Sequence, residues 1–264
     1  MDEMLFCRNA ENEEMTLPLA IGRDENGRPL WLDLDAAPNI LLAGCTKQGK
    51  SVAMNAMIAS LMLLKGQEEV KFVFIDPKRV ELVVWAGAAG SRYAGGVYES
   101  YAELDRLVVE MERRLSGLAE DPRRKYPKIV VFVDEYADLM DYCYIKKTAA
   151  FKNIVGLSKA GNAVGIHLVI STNRVSGGVI TKEIKENFPV RMGFRMFEKR
   201  DSTVVLDRPG AERLDGNGDT LLLCGPDVER VQGTFLSTDE CRVIKVKEDV
   251  KEKNNDYDSV VTPE

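Results

Sequence analysis

A single histidine, His167, among 264 residues leaves nothing from which a histidine metal cluster could be built. The five cysteines, Cys7, Cys45, Cys143, Cys224 and Cys241, are odd in number, scattered and without C-x-x-C spacing. That pattern speaks against a disulfide framework or a structural zinc and for a reducing, cytoplasmic setting. No apolar run reaches the length that crosses a bilayer, and the acidic stretch from Met1 to Glu14 is unlike a signal peptide. A chain of this kind working at a membrane needs a recruiting protein to take it there. Positive charge is also scarce: 36 Lys and Arg against 42 Asp and Glu give a net charge of −6. Composition therefore carries no overall nucleic-acid signature, and only a local patch or a ring assembly could concentrate basic side chains.

What is present is core-forming material, since 45% of residues are apolar, enough for one large α/β domain. Within it the run Gly44-Cys45-Thr46-Lys47-Gln48-Gly49-Lys50-Ser51 satisfies G-x-x-x-x-G-K-[ST]. It follows the apolar Ile40-Leu41-Leu42-Ala43 and opens a helical pattern from Val52 to Leu64, the strand, loop and helix order that a phosphate loop requires. The physics is anion capture. Glycines let backbone N–H groups converge on phosphate oxygens, the helix N-terminus adds positive potential, and Lys50 adds a mobile charge. The nucleotide-contacting run is thus Gly44 through Val52, a nucleoside-triphosphate site with the hydroxyl of Ser51 holding Mg²⁺.

The rest of the chain alternates strand and helix signals. Leu17 to Leu34 reads as an N-terminal β-hairpin with an Asn26-Gly27 turn, able to cover an edge of the main sheet. Met54, Met57, Ile58, Leu61 and Met62 form a core-facing helical stripe. Val70 to Ile75 is a strand ending in Asp76-Pro77-Lys78, and Gly87 to Gly96 an irregular connection. Ser100 and Glu103 fit a capping box for a helix carrying Leu104, Leu107, Met111 and Leu115, with Arg113 and Arg114 on a solvated face. Ile129 to Val133 is continuously apolar, as a central parallel strand is. Further strands are expected at 165–170, 190–194, 220–224 and 231–236, with a short helix at 181–187. Residues 1–16 are expected to be a flexible N-terminus, 17–244 the folded domain and 245–264 a disordered tail. Alternation implies a mostly parallel sheet flanked by helices, with the phosphate loop at its carboxyl end.

The most apolar strand closes on Asp134-Glu135. A carboxylate there can hold Mg²⁺ opposite Ser51 and a second can polarise an attacking water, which assigns Asp134 to the metal and Glu135 to the water. Thr172 and Asn173 end a neighbouring strand, where an amide can sense the γ-phosphate or simply make a turn. His167 reads as a satisfied core residue. Cys45, inside the phosphate loop, is either a tolerated small residue or, exposed near Lys50, an oxidisable one.

Beyond single motifs, Leu17-Pro-Leu-Ala-Ile-Gly, Ala43-Gly44 with Gly49-Lys50-Ser51-Val52, Ile75-Asp76-Pro77-Lys78, Glu81-Leu82, Glu110 to Arg114, Val133-Asp134-Glu135, Ala137 to Met140, Gly165 to Val169, Asp201-Ser202, Gly210-Ala211-Glu212 and Gly216 to Asp219 resemble, in order over about residues 17–240, the motor domain of FtsK/SpoIIIE DNA translocases. The resemblance implies a RecA-like P-loop ATPase, a homo-oligomer in the form of a hexameric ring, and double-stranded DNA as the cargo. It also implies the catalytic set Lys50, Glu135 and Asn173 and the metal pair Ser51 and Asp134. The membrane segments and winged-helix module common in the family have no counterpart in this sequence, which fits a solitary motor core or a mobile-element relative. Asn162 and Thr203 stand where the family has arginines, so slow hydrolysis is expected unless Lys159, Arg174 or Arg200 substitutes. Two readings stay beside the DNA motor: a secretion or conjugation ATPase with protein cargo, and a nucleotide-binding module with weak hydrolysis.

Overall fold

The apolar runs become strands of one mixed sheet. The computed structural model describes residues 3–6, 10–141 and 144–246, and the elements below are those of these residues. In chain order they are α1 (Ala10–Glu13), β1 (Pro18–Arg23), β2 (Pro29–Asp33), β3 (Asn39–Ala43), α2 (Lys50–Leu64), β4 (Val70–Asp76), β5 (Ser91–Gly95), α3 (Val97–Glu120), β6 (Lys128–Val133), α4 (Tyr136–Asp141), α5 (Tyr144–Ala160), β7 (Ile166–Thr172), α6 (Lys182–Asn187), β8 (Val190–Phe194), α7 (Lys199–Leu206), β9 (Asp219–Cys224) and β10 (Asp227–Gly233). Residues 238–246 are helical.

The sheet runs β2-β1-β10-β9-β8-β3-β7-β6-β4-β5. From β8 to β5 neighbouring strands are parallel; from β8 to β2 they are antiparallel. The parallel half follows from helical crossovers, which return each strand in the same direction and cover both faces. Along β3, Ile40 and Leu42 face one core while Leu41 and Ala43 face the other. This is why the strand reads as an unbroken apolar run. The first core includes Met54, Met57, Ile58 and Leu61 of α2 against Phe74 and Phe132. So much of α2 is buried, with residues 53–62 all inside, that its apolar residues surround the helix instead of forming a stripe. The second core packs α3, α4 and α5 through Leu104, Leu107, Leu139, Ile154 and Leu157. Full burial of a side chain of this size contributes about 1.5–3 kcal/mol.

Parallel pairing sets the ends of three strands level. Ala43 of β3 lies beside Thr172 of β7, and Val133 of β6 beside Ile170. The carboxyl ends of β3, β7 and β6 therefore open on the same side of the sheet, with β7 between the other two.

Several local expectations are corrected. Residues 91–95 form β5, not an irregular connection; the strand is short, polar and paired only with β4, so its sequence lacks the apolar run of a central strand. Helix α3 starts before Ser100, because Gly96 at φ 106° turns the chain, and the Ser100 hydroxyl donates to the Gly96 carbonyl at 2.6 Å. The capping box is thus absent, and Glu103 pairs with Arg92 and Arg106. Arg114 is buried, donating to Glu110 and to the carbonyls of Pro127 and Val164. The hairpin turn closes through Gly27 N–H to the Asp24 carbonyl at 2.9 Å, and of Asn26 and Gly27 only the glycine has a positive φ. A helix, α7, occupies residues 199–206, for which no element was expected. Within the stretch 1–16, residues 3–6 form a 3-10 turn whose Met4 and Leu5 are buried in the first core. The expected tail falls from residue 247 onward outside the described residues.

Candidate nucleotide-binding site

The loop between β3 and α2 has the backbone that its glycines anticipate. A side chain at Gly44 (φ 151°) would place its Cβ 2.8 Å from Phe194, and Gly49 (φ 109°) leaves room for Gly218, whose Cα would be 2.8 Å from an added Cβ. Between them Lys47 takes a left-handed φ of 61°, uncommon for a residue with a side chain. The loop is tied down at its start: Gly44 N–H reaches the Thr172 carbonyl at 3.3 Å and Cys45 N–H the Arg195 carbonyl at 2.9 Å.

Lys50 is buried, and its amine folds back across the loop to the carbonyls of Gly44 (2.7 Å) and Cys45 (2.6 Å). Burial lowers its pKa to about 8, against the opposing pull of Glu135 and Asp134. A phosphate arriving in the loop offers that amine a charged partner in place of two neutral carbonyls, a stronger class of hydrogen bond.

The two acids at the end of β6 are held by the end of β7. The Ser171 hydroxyl donates to Asp134 Oδ1 at 2.7 Å. Burial raises the Asp134 carboxyl to about 6; its Ser171 bond opposes this, and the charges of Asp76, Glu81 and Glu135 add to it. Glu135 is buried at a left-handed φ of 45°. Its Oε1 accepts from the Thr172 hydroxyl at 2.8 Å and its Oε2 from Asn173 N–H at 2.9 Å. Ser171, Thr172 and Asn173 thus fix both carboxylates, because the sheet order puts β7 beside β6.

A cavity of about 430 Å³ opens over these groups, lined by Lys50, Ser51, Asp134 and Asn173. Thr46, Lys47, Gly49 and Val52 of the predicted run also line it, while Cys45, Thr46 and Gln48 border a smaller hollow of about 270 Å³ with Phe197 and Asp201. Gly44 lies beneath the loop against Phe194. Glu135 is not among the lining residues; it sits behind them with both oxygens engaged. The Cys45 thiol is pushed up from its ordinary pKa by burial, more than Lys50 draws it down, so it is not an activated thiolate.

Another part of the lining was not anticipated. It consists of Glu81 together with Asn217, Gly218 and the run Gln232 to Phe235. Gly218 N–H donates to the Gln48 carbonyl at 3.0 Å, and Gly233 N–H donates to the Gly218 carbonyl at 2.9 Å, joining the phosphate loop to β10. The Gly216-Asn217-Gly218 run, in which all three residues have positive φ, was the available signal.

Away from this cavity, His167 is a core residue of β7 whose Nε2 lies 3.3 Å from Asp35, and burial lowers its pKa to about 4. Asn162 is exposed in a 3-10 turn at the amino end of β7, and Thr203 is exposed on α7, its hydroxyl donating to the Lys199 carbonyl. Neither lines the cavity. Lys159 pairs with Glu183 and Arg174 with Asp138; Arg200 is exposed.

A glycine-rich loop clamped between strand and helix, with two carboxylates fixed one strand away, defines a P-loop nucleoside-triphosphate-binding fold. Solved structures of the same fold include the pCW3 conjugation coupling protein TcpA with ATPγS (24% identical, TM-score 0.80, covering 93% of this chain and 73% of that one). Another is the cytoplasmic domain of the Thermomonospora curvata Type VII secretion ATPase EccC (21% identical, TM-score 0.76, covering 94% of this chain and 33% of that one). A sequence profile of the FtsK/SpoIIIE family matches residues 2–126. The chain is 37% identical to the DNA translocase FtsK of Listeria monocytogenes over 90% of its length, and 36% identical to that of Treponema pallidum over 92%. It belongs to the FtsK/SpoIIIE family. It spans about a third of the length of these relatives, 34% and 33% respectively. Among the described residues no helix is long and apolar enough to cross a membrane.

Proposed function

We propose that residues 17–244 are an ATP-hydrolysing motor domain that couples turnover to movement along double-stranded DNA. One observation carries the reading: Lys50 and Ser51 share a cavity with Asp134 while Glu135 lies directly behind it, fixed by β7. In this assignment the loop from Gly44 to Val52 holds the phosphates of ATP and Lys50 transfers its hydrogen bonds to them. Glu135 polarises the attacking water, and Asn173 responds to the γ-phosphate. Ser51 and Asp134 suit Mg²⁺, since a buried carboxylate whose charge is disfavoured by three neighbouring acids gains from a cation. Among the described residues no three His, Cys, Asp or Glu side chains form a ready-made metal cage, which accords with a cation bound largely by phosphates and water. When bound, Mg²⁺ neutralises charge on the transferring phosphoryl group.

DNA as cargo rests on the family, whose relatives carry the name DNA translocase. A ring of six copies in the cytoplasm is part of the same proposal and would gather basic groups that the net charge of −6 conceals. Hydrolysis is proposed to be slow, because Asn162 and Thr203 supply no guanidinium. The acidic balance favours one alternative, an ATPase acting on protein cargo.

The test is ATP turnover with and without long duplex DNA, for the wild type and Glu135→Gln. DNA should raise wild-type turnover, the rise should shrink with salt, and Glu135→Gln should lower turnover by about 10²–10⁴-fold while leaving nucleotide binding intact. Turnover indifferent to DNA at low salt would remove the DNA reading. Equal turnover in the variant would remove the role given to Glu135.

A further inference from the structure

The phosphate loop accounts for one end of a nucleotide; the cavity is large enough to hold more. Its lining includes Phe235, which is 66% exposed although both chain neighbours, Thr234 and Leu236, are buried at 3% and 1%. The backbone leading into Phe235 is held by two neighbouring segments: Gly233 N–H is bonded to the Gly218 carbonyl and Thr234 N–H to that of Ile21. Thr234 is further held by its hydroxyl bond to Met4 Sδ, and Leu236 is part of the first core. Phe235 is therefore held outward, into the cavity, by interactions that do not involve its own ring.

An exposed apolar ring costs hydration free energy unless something covers it. Here the geometry supplies the occupant. With phosphates on Lys50 and the amino end of α2, the lining left for the rest of the nucleotide includes Val52 and Ala53 of α2 and Gly233 to Phe235. A flat π-face beside small and apolar residues matches a nucleobase, not a sugar or a phosphate. Gln232 and Asn217 lie next to it and are joined by a bond from Gln232 Nε2 to the Asn217 carbonyl. They present amide groups at the rim.

We propose that Phe235 is the stacking platform for the base of the bound nucleotide, and that it confers a preference for purine over pyrimidine nucleotides. The proposal rests on the nucleotide-binding reading above and is separable from it, because inorganic tripolyphosphate engages the phosphate loop without a base. Titrations of the wild-type chain, Phe235→Ala and Phe235→Trp with ATP, UTP and tripolyphosphate test it. Phe235→Ala should weaken ATP binding about 10- to 100-fold, narrow the gap between ATP and UTP, and leave tripolyphosphate affinity unchanged. Phe235→Trp should retain ATP affinity, and its added indole emission should be quenched by ATP but not by tripolyphosphate. Unchanged ATP affinity in Phe235→Ala overturns the proposal, as does an equal loss for ATP and tripolyphosphate. A change in sedimentation with unchanged ATP affinity also overturns it, in favour of a contact between copies. A wild type that binds neither ligand overturns the nucleotide reading itself.

Discussion

The parallel half of the sheet, β8 to β5, and the antiparallel half, β9 to β2, meet along the cavity and supply different things to it. The parallel strands end in charged and hydroxyl groups: Lys50 and Ser51 after β3, Asp134 and Glu135 after β6, Ser171 to Asn173 at the end of β7. The antiparallel half brings backbone and a ring: Gly218 bonded to Gln48, Gly233 bonded to Gly218, and Phe235. Parallel crossovers direct successive strand ends to one side, where reactive groups from distant parts of the sequence converge. Antiparallel strands turn back on themselves and leave a surface that shapes a cleft without concentrating charge. Chemistry and enclosure are thereby assigned to different halves of one sheet.

The sharpest way to break this division is Lys50→Ala. If the parallel half carries the chemistry, removing the amine should lower ATP turnover at least about a hundredfold and weaken binding of ATP and tripolyphosphate alike, read by steady-state turnover and calorimetric titration. A variant that turns over normally would place the chemistry elsewhere. A smaller effect is expected from Gly218→Val, in the enclosing half where it meets the phosphate loop. At φ 91°, with an added Cβ only 3.0 Å from Gln232 Nε2, the substitution should cost about 1–3 kcal/mol of stability and loosen ATP binding, checked by denaturant melts and titration. Unaltered affinity would show that the turn plays no part in the wall.

The smallest effect is a pH profile that distinguishes the charged half from the neutral one. Binding of the magnesium nucleotide needs Asp134 ionised and Lys50 protonated, so affinity should fall below about pH 6 and above about pH 8. The stability of the free protein moves in the opposite sense at the acid end. Because the folded Asp134 carboxyl holds a proton between 3.8 and about 6 that the unfolded chain has lost, stability should decline as pH rises through that window. Asp134→Asn should flatten that decline. A profile identical in the variant would mean that another group titrates there.

Legibility in the sequence follows the same division. Strands of the parallel half are buried on both faces, so β3, β6 and β7 read as apolar runs, and their ends carry the residues that were predicted for the site. Strand β10 is largely exposed and contains Asp227, Glu229 and Arg230, so only its last residues resemble a strand. Strand β5, at the edge beside β4, likewise lacks an apolar run. Arg114 read as surface because a helix with charged neighbours gives no sign that its guanidinium will meet the carbonyls of Pro127 and Val164.

The sequence by itself determined the phosphate loop, the acidic pair and the family, because each is written in contiguous residues whose local physics is short-range: glycine at strained φ, an amine after it, carboxylates closing an apolar strand. What only the tertiary structure decided is which groups share a cavity. Strand order inserts β7 between β3 and β6, so Thr172 and Asn173 come to hold Glu135. Antiparallel pairing brings Gly218 and Phe235 into the lining of the cavity that holds Lys50. Those contacts depend on pairing and register over the whole sheet, and no local stretch of residues encodes them.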